Sequence, residues 1–149
     1  MNAILDNKST VVREAKRYGI TPNLVAATIV YESRGWGVIP GGEYLEAALS
    51  YAKGRENGTY GLAQLGNDAR AAAGLSISQA LTSQGAIKGA ATWLSGNRDK
   101  LVQEGVTSPS DSQIATRYNR GKANAGAITR YGREVEILVH EMKWGFPSE

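Results

Sequence analysis

The stretch TPNLVAATIVYES, residues 21–33, predicts an apolar helix that carries a single carboxylate at its end. Thr21 is a favourable N-cap residue, and Pro22 suits the first helical position, where no backbone N–H is needed. A glycine at position 35 favours an end of the helix soon after Glu32. One face of the helix carries residues at helical spacing: Val25, Thr28, Ile29 and Glu32.

A carboxyl group at position 32 should lie half buried against apolar neighbours and face a glycine-rich opening. Burial disfavours the charged form of a carboxyl group and therefore raises its pKa. A general acid that works near neutral pH needs such a raised pKa. Glu32 is therefore the candidate general acid. The alternative, favoured by the spacing alone, is a helix-end glutamate that leans into solvent.

The rest of the chain also predicts helices, separated by glycine and proline. With 149 residues the chain should form one domain. Asn57 and Gly58 predict a tight hairpin turn. Ser76 and Gln79 form a capping-box pattern, and Asp68 is a possible cap. The helices expected besides residues 21–33 cover residues 2–18, 43–53, a short segment from 68 to 74, 76–95, 108–119 and 127–144.

Composition narrows the classes of function. The chain has no cysteine and one histidine, His140, so disulfides and cysteine metal sites are excluded and a zinc site is not expected. The net charge of +3 favours anionic partners, but no basic run interleaves with aromatic residues, so nucleic acid is not an expected partner. No apolar run is long enough for stable membrane insertion, and the N-terminus does not predict a signal peptide.

Three further motifs follow Glu32 and Ser33: GTYGLAQL at 58–65, AIKGAATWL at 86–94 and ATRYNRG at 115–121. The order Glu-Ser, Gly-x-x-Gly-Leu-x-Gln, Ile-x-x-Gly-x-x-x-Leu and Tyr-Asn-x-Gly resembles the soluble-type lytic transglycosylases and the goose-type lysozymes. The resemblance runs from about residue 21 to 135. It implies a mainly α, single lysozyme-like domain over residues 1–149, with a small β-hairpin that lines the cleft.

The resemblance implies cleavage of the β-1,4 bond between N-acetylmuramic acid and N-acetylglucosamine in peptidoglycan. Carried over by position, Glu32 is the glutamate that donates a proton and then acts as base. No metal or organic cofactor is implied, and the expected partner is the glycan strand, bound by a monomer. Tyr131 matches a weakly defined family aromatic and is assigned to the core. The implied substrate-binding residues are Ser33, Tyr60, Gln64, Tyr118 and Asn119.

Inverting hydrolysis uses a second carboxylate about 6.5–9.5 Å from the acid. Glu56 is the preferred candidate, because the hairpin should face Glu32. Attack by the sugar's own hydroxyl, which leaves an anhydro end, is the other possibility. The chain departs from the family's motif pattern in two ways. It has an insertion between Glu32 and Gln64, and it has Ala63 where the family has a methionine. The insertion resembles chitinase-like endolysins of the same superfamily. The other carboxylates available are Glu43, Glu46 and Asp68.

The tryptophans are candidates for stacking on sugars. Trp93 and Trp144 occupy apolar helix faces and are expected in the core, which leaves Trp36 as the better candidate. A stand-alone domain without a predicted signal peptide is expected to be a phage endolysin or virion-associated lysin that acts on the host cell wall. The alternatives are a non-catalytic wall-binding or structural module on the same fold and a small helical protein that binds nucleic acid or a protein partner.

Overall fold

The computed structural model describes residue 4 and residues 6–33, 59–121 and 124–146. The prediction of a mainly α fold is confirmed. The predicted helix at 43–53 and the turn at Asn57 and Gly58 lie outside these ranges. Within them, β structure is limited to one antiparallel bridge between Tyr60 and Leu65, so the small hairpin is not shown. The helices are α1 (Lys8–Tyr18), α2 (Pro22–Glu32), α3 (Asn67–Ala72), α4 (Ile77–Ala80), α5 (Ser83–Gln103), α6 (Asp111–Arg120) and α7 (Arg130–Glu141).

Helix α2 lies at the centre of the fold, in contact with α1, α5 and α7. The Thr21 side chain accepts a hydrogen bond from the Leu24 amide, and Pro22 occupies the first turn, as predicted. Every residue from Leu24 to Ile29 is buried, which is wider than the single apolar face that the spacing predicted. A helix that is apolar all round is buried on all sides, and its neighbours then hold it in position. The last turn of α2, which carries Glu32, is therefore held in place as well.

The region between Ser76 and Gln103 differs from the prediction of one helix over 76–95. The capping box of Ser76 and Gln79 is present, but the helix that it starts ends at Ala80. A new helix then begins at Ser83. Thr82 stabilises the break, because its hydroxyl donates to the Gln79 carbonyl at 2.7 Å and accepts from the Gly85 amide at 3.0 Å.

The turn from Tyr60 to Leu65 packs directly on α5. Tyr60 and Leu65 exchange two backbone hydrogen bonds, each 3.0 Å long. Gly89 makes the close approach possible: a Cβ atom there would lie 2.2 Å from Leu65 Cδ1. Gly89, the glycine of the Ile-x-x-Gly motif, therefore allows this turn to pack closely against α5.

Helices α6 and α7 approach each other closely at Gly132. A Cβ atom at Gly132 would lie 2.2 Å from the Ser112 carbonyl oxygen and 2.2 Å from Thr116 Oγ1. Thr116 Oγ1 also accepts a hydrogen bond from the Thr129 amide at 3.0 Å, just before α7 begins. These contacts hold the first turn of α7 against α6, and they place Tyr131 beside α2.

Other details correct the sequence expectations. Gly66, not Asp68, is the N-cap residue of α3, and Asp68 lies in its first turn. Helix α7 begins at Arg130 rather than at residue 127, so Ile128 precedes the helix and is 43% exposed. No helix within the described ranges has both the length and the apolar character needed to cross a membrane.

Candidate functional site

Glu32 is half-buried at the last position of α2. The Tyr131 hydroxyl of α7 donates a hydrogen bond to Glu32 Oε1 at 2.6 Å. Such a bond to a carboxylate fixes the direction of the carboxyl group. Ser33 follows as the C-cap residue, and its hydroxyl donates to the Val30 carbonyl at 3.1 Å. The predicted substrate-binding hydroxyl of Ser33 is thus used to close the helix.

Tyr118 connects the site to the turn at 59–65. It is buried at the end of α6, and its hydroxyl donates to the Ala63 carbonyl oxygen at 2.6 Å. Burial, and then the negative charge of Glu32, raise the pKa of Tyr118 well above its ordinary value. The Tyr118 hydroxyl thus ties the end of α6 to the turn at 59–65.

Tyr131 has a role that the sequence analysis missed. Its ring packs against the core, as expected, but its hydroxyl reaches Glu32. Burial raises the pKa of Tyr131 above its ordinary value, and the nearby charge of Glu32 raises it further. A signal was available, because a tyrosine on a buried helix face carries a hydroxyl that needs a partner.

A second tyrosine–glutamate pair lies beside the first. The Tyr31 hydroxyl of α2 donates to Glu134 of α7. The rings of Tyr31 and Tyr131 meet edge to face, with centroids 4.7 Å apart and an interplanar angle of 72°. Arg130 Nε donates to Glu134 Oε1 at 2.7 Å. Sequence reasoning did not identify Tyr31 or Glu134.

A cleft of about 350 Å³ opens between the turn at 59–65, α3, α5 and α6. Three predicted site residues line it: Gln64, Tyr118 and Asn119. Glu32 and Ser33 are not among its described lining residues. Asp68, Trp93 and Arg120 also line the cleft.

Trp93 packs against the hydrophobic core, as expected, but it is only half-buried and also lines this cleft, and Lys100 Nζ lies 5.4 Å from its ring centroid. Trp144, by contrast, is a core residue, as expected, with 3% exposure. Trp93 is therefore a second aromatic candidate for a contact with a sugar, beside Trp36, which lies outside the described residues.

The side chains of Gln64 and Tyr60 stabilise the turn at 59–65. The Gln64 amide donates to the Gly61 carbonyl at 3.1 Å, and Gln64 Oε1 accepts from the Thr59 hydroxyl at 2.7 Å. The φ angle of Gln64 is 48°, in the left-handed region. Tyr60 is only 5% exposed and packs in the core, which argues against its predicted contact with substrate.

Of the candidate second carboxylates, Asp68 lies within the described residues. Glu43, Glu46 and the preferred candidate Glu56 lie outside the described residues. Asp68 is exposed and lines the cleft. In the described part of the chain, no three histidine, cysteine, aspartate or glutamate side chains are grouped in a way that could hold a metal ion.

No family model, curated protein or solved structure matches this chain. The function is therefore inferred from the geometry of the site, together with the order of the motifs.

Proposed function

We propose that this protein cleaves the β-1,4 bond between N-acetylmuramic acid and N-acetylglucosamine in peptidoglycan, with Glu32 as the general acid. One observation carries the proposal. The Tyr131 hydroxyl, 99 positions away on another helix, donates a hydrogen bond to the Glu32 carboxyl group at the end of a buried helix, and Tyr118 is buried in a third helix with its hydroxyl bonded to the Ala63 carbonyl. Tyr118 also lines a cleft of ligand-binding size.

In this mechanism Glu32 donates its proton to the oxygen of the leaving sugar as the glycosidic bond breaks. The sugar ring then carries positive charge, which the Glu32 carboxylate stabilises across a short distance. Glu32 next takes a proton from the attacking group, so that the same residue acts first as acid and then as base. Tyr131 keeps the carboxyl group in one orientation through both steps.

The cleft supplies groups that suit a sugar. Trp93 presents an aromatic ring, and Asn119 presents an amide that both donates and accepts hydrogen bonds. Ligand sites commonly combine such an apolar wall with a few polar groups that set orientation. The Gln64 amide forms hydrogen bonds within its own turn, so its contribution is to shape the cleft beside Asn119.

The attacking group distinguishes two classes of product. The order of the motifs favours attack by the sugar's own hydroxyl, which gives anhydro ends. Inverting hydrolysis uses a second carboxylate to activate water, and Glu56 is the preferred candidate, with Glu43, Glu46 and Asp68 as the others. Mass spectrometry of products from purified peptidoglycan separates the two, since reducing ends from the unsubstituted protein would establish hydrolysis. The biological setting that we propose is a phage lysin acting on the host wall.

Glu32→Gln tests the proposal. The amide keeps the shape of the side chain but cannot donate the proton, so clearing of a peptidoglycan suspension should fall by about 10²-fold or more. Glu141→Gln, which removes one exposed carboxylate from α7, is the matched control and should keep full activity. Glu32→Gln activity above about a tenth of the unsubstituted rate would refute the role of Glu32 as general acid.

Sedimentation of the Glu32→Gln protein with insoluble wall separates an enzyme from a wall-binding module. An enzyme with Glu32 as its acid still binds the glycan after the substitution but no longer cleaves it. A non-catalytic module binds the wall and shows no cleavage even before substitution.

A further inference from the structure

We propose that Glu134 is a positioning residue for the Glu32 site. It holds Tyr31, which in turn holds the Tyr131 ring at the place where its hydroxyl meets Glu32. The kinetic consequence of this inference rests on the proposed function, whereas its structural part rests on the geometry of α2 and α7 alone.

The two helices exchange tyrosine–glutamate hydrogen bonds. Helix α2 ends with Tyr31 and Glu32, and the first turns of α7 carry Tyr131 and Glu134. Tyr131 donates to Glu32, and Tyr31 donates to Glu134. Each helix therefore contributes one donor and one acceptor, and the two bonds together limit how far α7 can rotate or slide along α2.

The two tyrosine rings transmit this restraint. Their edge-to-face contact, with 4.7 Å between centroids, is one of the arrangements that aromatic pairs prefer. If Tyr31 loses its hydrogen bond to Glu134 and changes position, the Tyr131 ring loses the surface against which it rests. The Tyr131 hydroxyl then no longer has a fixed direction towards Glu32 Oε1.

Both oxygens of Glu134 have hydrogen-bond donors. Oε2 accepts from Tyr31, and Oε1 accepts from Arg130 Nε at 2.7 Å. The Arg130 side chain is 87% exposed, so its ion pair contributes little to stability. The Glu134 side chain is 28% exposed, and the bond from Tyr31 is the more sheltered of the two. The carboxylate thus accepts a hydrogen bond on each oxygen, and the bond from Tyr31 links it to the neighbours of Glu32.

Two substitutions at one position separate a positioning residue from a catalytic carboxylate. Glu134→Ala removes the acceptor for the Tyr31 hydroxyl, and kcat should fall by up to about 10²-fold with little change in KM, since a small misplacement of a catalytic group has an effect of that order. Glu134→Gln keeps an oxygen that accepts from Tyr31 and should retain most of the activity. Equal losses in both variants would overturn the proposal, because a catalytic carboxylate is lost in both. Glu141→Ala is the control on the same helix and should leave kcat unchanged.

A double-mutant cycle tests the route through Tyr131. In a Tyr131→Phe background, Glu134→Ala should cause no further loss of kcat, because the hydroxyl that it positions is already absent. Independent, multiplicative losses would overturn the proposal.

The same four proteins give a readout that needs no substrate. The increase in the unfolding equilibrium constant for the double variant should be smaller than the product of the two single increases, because the residues act through shared contacts. Multiplicative increases would overturn the structural part. A lack of wall cleavage by the unsubstituted protein would refute the proposed function, and this stability cycle would still decide the link between Glu134 and Tyr131.

Discussion

Gly89→Ala and Gly96→Ala make the same chemical change in one helix and should have opposite effects on stability. Both positions lie inside α5, where alanine is favoured over glycine by about 1 kcal/mol. A Cβ atom at Gly96 meets nothing within 4 Å, so Gly96→Ala should stabilise the protein by about 0.5–1 kcal/mol. At Gly89 the added carbon would lie 2.2 Å from Leu65 Cδ1, whereas carbon atoms prefer a separation of about 3.5–4.0 Å.

Leu65 has little room to move away, because it is 1% exposed and its backbone is fixed by two hydrogen bonds to Tyr60. Overpacking of a buried site typically lowers stability by about 1–3 kcal/mol, which exceeds the helical preference for alanine. Gly89→Ala should therefore be less stable than Gly96→Ala by about 1–3 kcal/mol. For a chain of 149 residues this is about 2–4 °C in Tm for each kcal/mol.

Urea unfolding, followed by far-ultraviolet circular dichroism, measures the difference directly. The slope of the free energy against urea should agree among the two variants and the unsubstituted protein, so that the midpoints report stability. Equal midpoints, or a higher one for Gly89→Ala, would show that the turn at 59–65 does not pack on α5 as described. Because Leu65 also lines the cleft, Gly89→Ala should lower the proposed cleavage of peptidoglycan, and Gly96→Ala should not.

Two further predictions concern the buried hydroxyls. Tyr118→Phe should lower the free energy of unfolding by about 1–3 kcal/mol, because the buried Ala63 carbonyl loses its donor; an unchanged urea midpoint would contradict that hydrogen bond. Stability should also fall as pH rises above about 10, the ordinary tyrosine pKa. Burial, with the charge of Glu32, raises the folded-state pKa values of Tyr118 and Tyr131, so both stay protonated in the folded protein while the unfolded chain loses the protons. The stabilisation is complete below about pH 10, and each tyrosine adds a slope of about 1.4 kcal/mol per pH unit above it. Urea unfolding at pH 8 to 11 should show a shallower loss in Tyr131→Phe than in the unsubstituted protein, and equal slopes would contradict the raised pKa.

The helices that carry their own boundary signals were predictable from sequence. Thr21 and Pro22 mark the start of α2, and the structure begins the helix at Pro22. The capping box at Ser76 was also correct locally, but its helix ends after one turn. The apolar spacing continues through Leu81 without a glycine or proline, so nothing in the pattern predicted the break that Thr82 stabilises.

The pairing of Glu32 with Tyr131 could not be read from local patterns. The two residues are 99 positions apart, and periodicity places Tyr131 on an apolar face without fixing the rotation of α7. That rotation depends on the close approach at Gly132, which involves Ser112 and Thr116 of another helix. Of the five substrate-binding residues that the motifs predicted, Gln64, Tyr118 and Asn119 line the cleft, whereas Ser33 and Tyr60 do not, and the motifs gave no indication of Tyr31 or Glu134.

The burial of α2 on all sides determines how the proposed site should fail under stress. The backbone amide protons of α2 from Leu24 to Ile29 are buried. Their exchange with solvent should therefore require global unfolding rather than local opening. Glu32 is attached directly to this segment. Heating short of global unfolding should therefore leave the carboxyl group in place, and thermal inactivation should follow the same cooperative transition as the slowest-exchanging amides.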